Sequence, residues 1–101
     1  MKVYRLSPAA EADLDDIWNY TTINWSQEQA ERYVSRLFDS FIKLGENPGL
    51  GRNANWIMPG YRCFRCGHHL IFYVATDDGQ ANIVRILHEK VDVRRHLDDK
   101  E

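Results

Sequence analysis

At 101 residues, with 44% apolar and 28% charged side chains, the chain has the size and composition of one compact domain and leaves no room for a second. A formal net charge of −2 argues against a general nucleic-acid binder, which needs a cationic face to displace counterions from phosphate. No basic-then-apolar leader opens the chain and no apolar run nears the roughly 18 residues of a membrane span, so the expectation is a cytoplasmic protein without membrane contact.

Residues 3–6 read as a short strand that stops at Ser7-Pro8, where serine caps a helix and proline fits its first turn. Leu14, Ile17, Trp18 and Thr21 then recur at helical spacing, with Glu11, Asp13, Asp15 and Asp16 placed toward the positive end of the helix dipole. Ser26 with Gln29 forms a capping box, after which Ala30, Tyr33, Val34, Leu37, Phe38, Phe41 and Ile42 run in i, i+3, i+4 order to Gly45. This is the strongest periodicity in the chain. The connection around Asn24-Trp25 is short, which predicts two helices folded back as an antiparallel hairpin, with Trp18 and Trp25 as packing residues.

Residues 45–60 hold four glycines and two prolines and read as an irregular loop, long enough to carry function. Trp56 in its middle either folds back onto the body or contacts a partner. Three strand-like segments follow, at 61–66, 68–76 and 81–88, and they read as an antiparallel meander. Residues 91–97 and a charged tail close the chain. Cys63 and Cys66 have the spacing of half a zinc site, but no second pair lies at motif spacing, and residues three apart on a strand face opposite ways. They read as reduced strand cysteines, with no metal and no cofactor expected.

Between Glu46 and Asp77 there is no acidic residue, while Arg52, Arg62, Arg65, His68 and His69 all fall there, a locally basic stretch suited to an acidic partner or a phosphate. In the segment 68–76 both faces are apolar, Leu70, Phe72 and Val74 on one and Ile71, Tyr73 and Ala75 on the other. In the last strand, Val84 and Ile86 oppose Ile83 and Leu87 by the same alternation. One helical hairpin covers one face. The other is then either an exposed apolar groove edged by Arg85 and the arginines of the segment 61–66, or it is covered by the loop and the C-terminal segment.

Taken together, Leu6-Ser7, Ala12 to Trp18, Trp25, Gln29-Ala30 and Tyr33 resemble the ParE toxins. Pro48 to Arg52, Gly60-Tyr61-Arg62, His69, Phe72-Tyr73 and Arg85 to His88, then Asp92 and His96-Leu97, are similar to the same family in the same order. The resemblance implies a RelE-like α+β fold: an N-terminal strand, a helical hairpin on an antiparallel sheet, and a short C-terminal segment, as a single domain over residues 1–101. It also implies the toxin of a type II toxin–antitoxin system that causes growth arrest by poisoning DNA gyrase, with a ParD-like antitoxin as partner and nucleic acid involved only through these partners.

The superfamily also contains ribosome-dependent messenger-RNA endonucleases of the RelE kind. Such chemistry needs a base for the 2′-hydroxyl, cations for the phosphate and an acid for the leaving oxygen, and Arg62, Arg65, Arg85 and His88 fill part of that set. No tyrosine follows Tyr73, where the nuclease branch usually places one near the end of the last strand, which favours a non-enzymatic inhibitor over the nuclease. An inert antitoxin-binding module is the third alternative. The residues expected to meet gyrase are Asp92, Arg94, Arg95, His96 and Leu97, and those expected to meet the antitoxin are Arg52, Trp56, Arg62, Phe64, Arg65 and Arg85.

Overall fold

Ser7 sets the start of the fold. Its hydroxyl accepts from the Ala10 N–H (3.0 Å) and donates to the Val84 carbonyl (2.7 Å), while its own N–H donates to Ile83 O (3.0 Å). One residue therefore caps a helix and ties that cap to a strand 77 positions later. In the computed structural model, which describes residues 3–91, strand β1 (Tyr4–Leu6) leads into helix α1 (Pro8–Asn24), and Ser26 caps helix α2 (Gln27–Glu46) through the Gln29 N–H. Strands β2 (Arg52–Asn53), β3 (Arg62–Cys66), β4 (His69–Ala75) and β5 (Ala81–His88) complete the described chain.

The five strands form one sheet in the order β1-β5-β4-β3-β2. β2 through β5 pair antiparallel, as a meander should, but β1 lies parallel to β5 because the helical hairpin carries the chain across before the meander returns to it. Leu14, Ile17, Leu37, Phe41 and Leu44 of the hairpin bury themselves against Ile71, Tyr73, Ile83 and Ile86. No helix among the described residues is long and apolar enough to cross a membrane.

The alternation expected for β5 is broken by a bulge. Phe72 pairs with Arg85 and Tyr73 with Ile83, leaving Val84 as the extra residue, so Ile83 and Ile86 both face the hairpin and only Leu87 stays on the opposite side. A straight period of two puts Ile83 and Leu87 together; the bulge corrects that reading.

The sheet face away from the helices is not an open groove. Ala54 and Ile57 of the loop are buried with Cys63, Phe72 and Leu87, and Phe72 is 1% exposed. The loop itself is built, not irregular. Pro48–Leu50 forms a 3-10 turn, the Tyr73 hydroxyl donates to Pro48 O (2.6 Å) and accepts from Gly51 N (2.8 Å), and Asn55 Oδ1 accepts from Gly60 N (2.8 Å). Gly51 is required here, since a Cβ would stand 2.5 Å from the Tyr73 oxygen. Trp56 itself remains 62% exposed while its neighbour Ile57 folds back.

The tryptophans also divide differently from expectation. Trp18 is half-buried, but Trp25 at the hairpin tip is 68% exposed, beside Tyr20 and Ile23, which are exposed too. The short helical connection turns these side chains outward, beyond the end of the sheet they would need for cover. Cys63 and Cys66 are free and buried on opposite sides of the sheet, and burial pushes the Cys63 thiol up.

Candidate functional site

The hairpin between β3 and β4 turns on Gly67-His68, with Gly67 at φ +60°, where a Cβ would press on the Tyr33 ring at 2.8 Å. This close approach seats Tyr33 of α2 over the turn. Its hydroxyl accepts from the His68 N–H (3.1 Å) and lies 2.5 Å from His69 Nδ1. Burial raises the phenol, so it stays protonated. Burial first, then the neighbouring His88 and His68, holds the His69 imidazole down at about 4. The pair is therefore a neutral phenol against a neutral imidazole, with Cys66 O at 3.3 Å as a second acceptor for the hydroxyl.

His69 and His88 are paired across the β4–β5 ladder, their rings edge to face at 5.3 Å, and His68 stacks on His88 at 6.3 Å. Glu89 closes the far side, bonded to Arg65 and, at 3.0 Å, to His68 Nδ1. Arg65 first and His68 second pull its carboxyl down to about 2.

On the opposite wall, Asp13 of α1 takes both Arg85 Nε (2.8 Å) and Arg85 Nη2 (2.9 Å), and its Oδ2 also accepts from the Ile86 N–H (2.9 Å). β1 pairs only with the first part of β5, so Asp13 satisfies a backbone donor that the strand edge leaves beyond it. The fork pairing raises the Arg85 guanidinium above its ordinary value.

Between these walls runs a groove of about 1050 Å³, open to solvent, from the hairpin tip to the ends of β4 and β5. Ile17 and Ile86 give it an apolar lining, and Leu87 and Val91, which belong with the cluster on the other side of the sheet, border it where β5 ends. Tyr20 and Trp25 stand at its lip, and Arg32 and Arg36 follow one another by a helical turn along α2. The Arg36 guanidinium lies 5.7 Å over the Tyr33 ring.

Of the residues expected to meet the antitoxin, only Arg85 lines this groove. Arg65 is paired with Glu89, and Arg62 donates to Gly51 O (3.1 Å) and Gly49 O (3.3 Å). Arg52 reaches the Cys63 thiol, Phe64 packs half-buried toward the helical core, and Trp56 projects from the loop. The structure thus spreads the six over several surfaces. Asp92, Arg94, Arg95, His96 and Leu97 lie outside the described residues. Sequence reading passed over Arg32 and Arg36, whose i, i+4 spacing beside Tyr33 is the signal that marks them. Among the described residues no group of three potential ligands is placed to hold a metal.

Comparison with known proteins is consistent along almost the whole chain. Residues 4–93 match the family model described as the ParE toxin of type II toxin-antitoxin system, parDE. Toxin ParE1 of Mycobacterium tuberculosis is 43% identical over 94 residues, covering 93% of this chain and 96% of that one. Toxin ParE1 of Caulobacter vibrioides is 40% identical (96% and 99% covered), and Toxin ParE of Escherichia coli is 34% identical (99% and 97% covered). Among solved structures, the chromosomal ParDE TA system from P. aeruginosa has a chain that superposes with a TM-score of 0.72 at 22% identity, covering 84% of this chain and 92% of that one, a likeness of fold.

Proposed function

Because the chain belongs to the ParE toxin family of type II toxin–antitoxin systems, we propose that it is a non-enzymatic inhibitor of DNA gyrase, neutralised by a ParD-like antitoxin. It binds gyrase in the cytoplasm, stabilises the complex in which DNA is cleaved, and so arrests replication and growth. No cofactor takes part. The cationic cluster Arg94, Arg95 and His96, with Asp92 and Leu97, makes the gyrase contact, while Arg52, Trp56, Arg62, Phe64, Arg65 and Arg85 are proposed for the antitoxin.

The observation that carries the inhibitor over the nuclease is the state of the arginines. Asp13 and Glu89 offset the charge of Arg85 and Arg65, and Arg62 gives two of its donors to carbonyls, which lowers the positive charge available to a scissile phosphate. His69, the most buried histidine of the cluster, already has its Nδ1 engaged by Tyr33. Purified full-length chain is expected to block negative supercoiling by gyrase and to lose that effect when antitoxin is added. Unchanged supercoiling at large molar excess of folded protein would remove this reading.

A further inference from the structure

The turn that follows β5 has a histidine where turns favour a short polar side chain. The N–H of Val91 donates to the His88 carbonyl (3.1 Å), closing a four-residue turn with His88 first, and the N–H of Lys90 donates to His88 Nδ1 (3.1 Å). The second bond is the one that Asp, Asn or Ser makes from the first position of a turn, reaching the N–H two residues on. An asparagine oxygen accepts that bond at any pH. An imidazole nitrogen accepts it only while it carries no proton, and histidine is the side chain that changes charge in the mildly acidic range. Because the donor is a backbone N–H, the ring proton of neutral His88 sits on Nε2, and a second proton would have to enter on Nδ1, against the hydrogen of Lys90.

We propose that His88 is a proton-sensitive latch on this turn. Neutral, it holds Lys90 and sets the direction in which the chain leaves the sheet; protonated, it releases Lys90.

The groups around the ring make the release local. Glu89, the second residue of the turn, is fixed from two sides: its N–H donates to the His68 carbonyl (2.9 Å), and its carboxylate is bonded to Arg65 and to His68 Nδ1 (3.0 Å). A proton on His68 strengthens that hold. From β4, the His69 ring meets His88 edge to face, and burial keeps it neutral down to about 4. His68 stacks on His88 at 6.3 Å, so charges on the two rings repel. The helical side supplies no net negative charge to offset this. Asp13 is closed on Arg85, Asp16 shares the groove with Arg32 and Arg36, and the Tyr33 phenol is protonated. Acid therefore keeps Glu89 in place while it loosens Lys90, which puts the hinge between them.

Val91, the last residue of the turn, packs partly buried on the cluster of Ile57, Phe72 and Leu87. With both bonds made, the turn seats that side chain on the sheet. The segment proposed for gyrase follows directly in sequence. The latch rests on that functional reading for its consequence, not for its chemistry.

The test follows backbone amides of the isotope-labelled full chain by nuclear magnetic resonance from about pH 7.5 to about pH 5, the range in which histidines change charge. The parent should lose exchange protection at Lys90 by at least about threefold as the His88 ring resonances titrate, less than a buried hydrogen bond confers because water competes for an exposed one. Amides of Leu37 and Phe41 should keep theirs. His88→Asn supplies an acceptor that does not titrate and should hold Lys90 across the whole range, whereas His88→Phe should leave it unprotected throughout. Protection at Lys90 that ignores the titration of His88, or that falls equally in His88→Asn, overturns the proposal. So does a loss shared by the core amides, which would be acid unfolding of the whole domain. In the gyrase assay at one neutral pH, His88→Asn should act as the parent does and His88→Phe should act several-fold less; equal poisoning by the two would overturn the latch's part in activity. A parent that never poisons gyrase but shows the Lys90 behaviour would remove the functional reading and leave the latch standing.

Discussion

Asp13 and Arg85, 72 residues apart in the chain, close on each other through two bonds of 2.8 and 2.9 Å, and the same carboxylate accepts the backbone N–H of Ile86. The pair is mostly buried, so removing one partner strands a desolvated charge and, for Asp13, a strand-edge donor as well. Asp13→Ala is expected to cost about 3 kcal/mol by denaturant unfolding, within the range for one broken member of a buried pair. Arg85→Met added to Asp13→Ala should cost less than the sum of the two single changes. Additive losses in that double-mutant cycle would mean the pair is not coupled.

Tyr73→Phe tests the loop. The hydroxyl is bonded to both Pro48 O and Gly51 N, and its loss leaves the buried Gly51 donor unmet. The expected cost is about 1–2 kcal/mol, with faster amide exchange at Gly51 and little change in the helices. Uniformly faster exchange across the domain would place the effect in the core instead.

Gly45→Ala reverses a usual sign. In most helices this change stabilises by roughly 1 kcal/mol, but here the new Cβ would stand 2.3 Å from the Val3 carbonyl oxygen, which is backbone and cannot swing aside. The variant should melt lower than the parent, and a higher melting temperature would show that β1 shifts without loss.

The pH dependence follows from His69. An unfolded histidine binds its proton near 6.5, whereas the folded one waits until about 4. Between those values the unfolded state holds more protons, so stability is full above pH 6.5 and falls as pH drops toward 4. The loss is at most about 3 kcal/mol, and less after solvent screening of a ring that is only half-buried. Glu89 adds to it below pH 4.5, as its carboxylate loses Arg65 and His68 on the way down to about 2. Denaturation midpoints measured from pH 8 to 4 should begin to fall near 6.5, and His69→Asn should flatten the curve there. A decline that begins only near 4.5 in the parent would assign the effect to the carboxylates alone.

Much of the fold was legible because local signals agreed with the global one. Ser7-Pro8 and Ser26 cap the two helices as expected, and the spacing of Ala30, Leu37 and Phe41 put the right side of α2 on the sheet, although Ile42 of the same stripe is exposed. What the sequence hid was non-local. The parallel pairing of β1 with β5 and the bulge at Val84 arise from how distant segments meet, and no residue type announces either. The two-sided hydrophobicity of β4 was visible, but it left open whether a partner or the loop covered the second side, and Ile57 settled that for the loop. For the candidate site, the arginines were named one by one, yet charge counting could not see that Asp13 and Glu89 already held two of them. The groove escaped notice because its lining comes from four elements, and because Trp25 in the short connection reads as a packing residue although it is exposed.

The central claim, poisoning of gyrase, is met most directly by incubating purified gyrase, plasmid and ATP with the full chain, denaturing with detergent, and quantifying linear DNA. Linear plasmid should accumulate with the parent protein and fall to background with Arg94→Ala and Arg95→Ala together, which removes charge from the proposed contact with little packing. No linear DNA above the gyrase-only control, from folded protein that cleaves ribosome-bound message at defined sites, would contradict the account and return the chain to the nuclease branch.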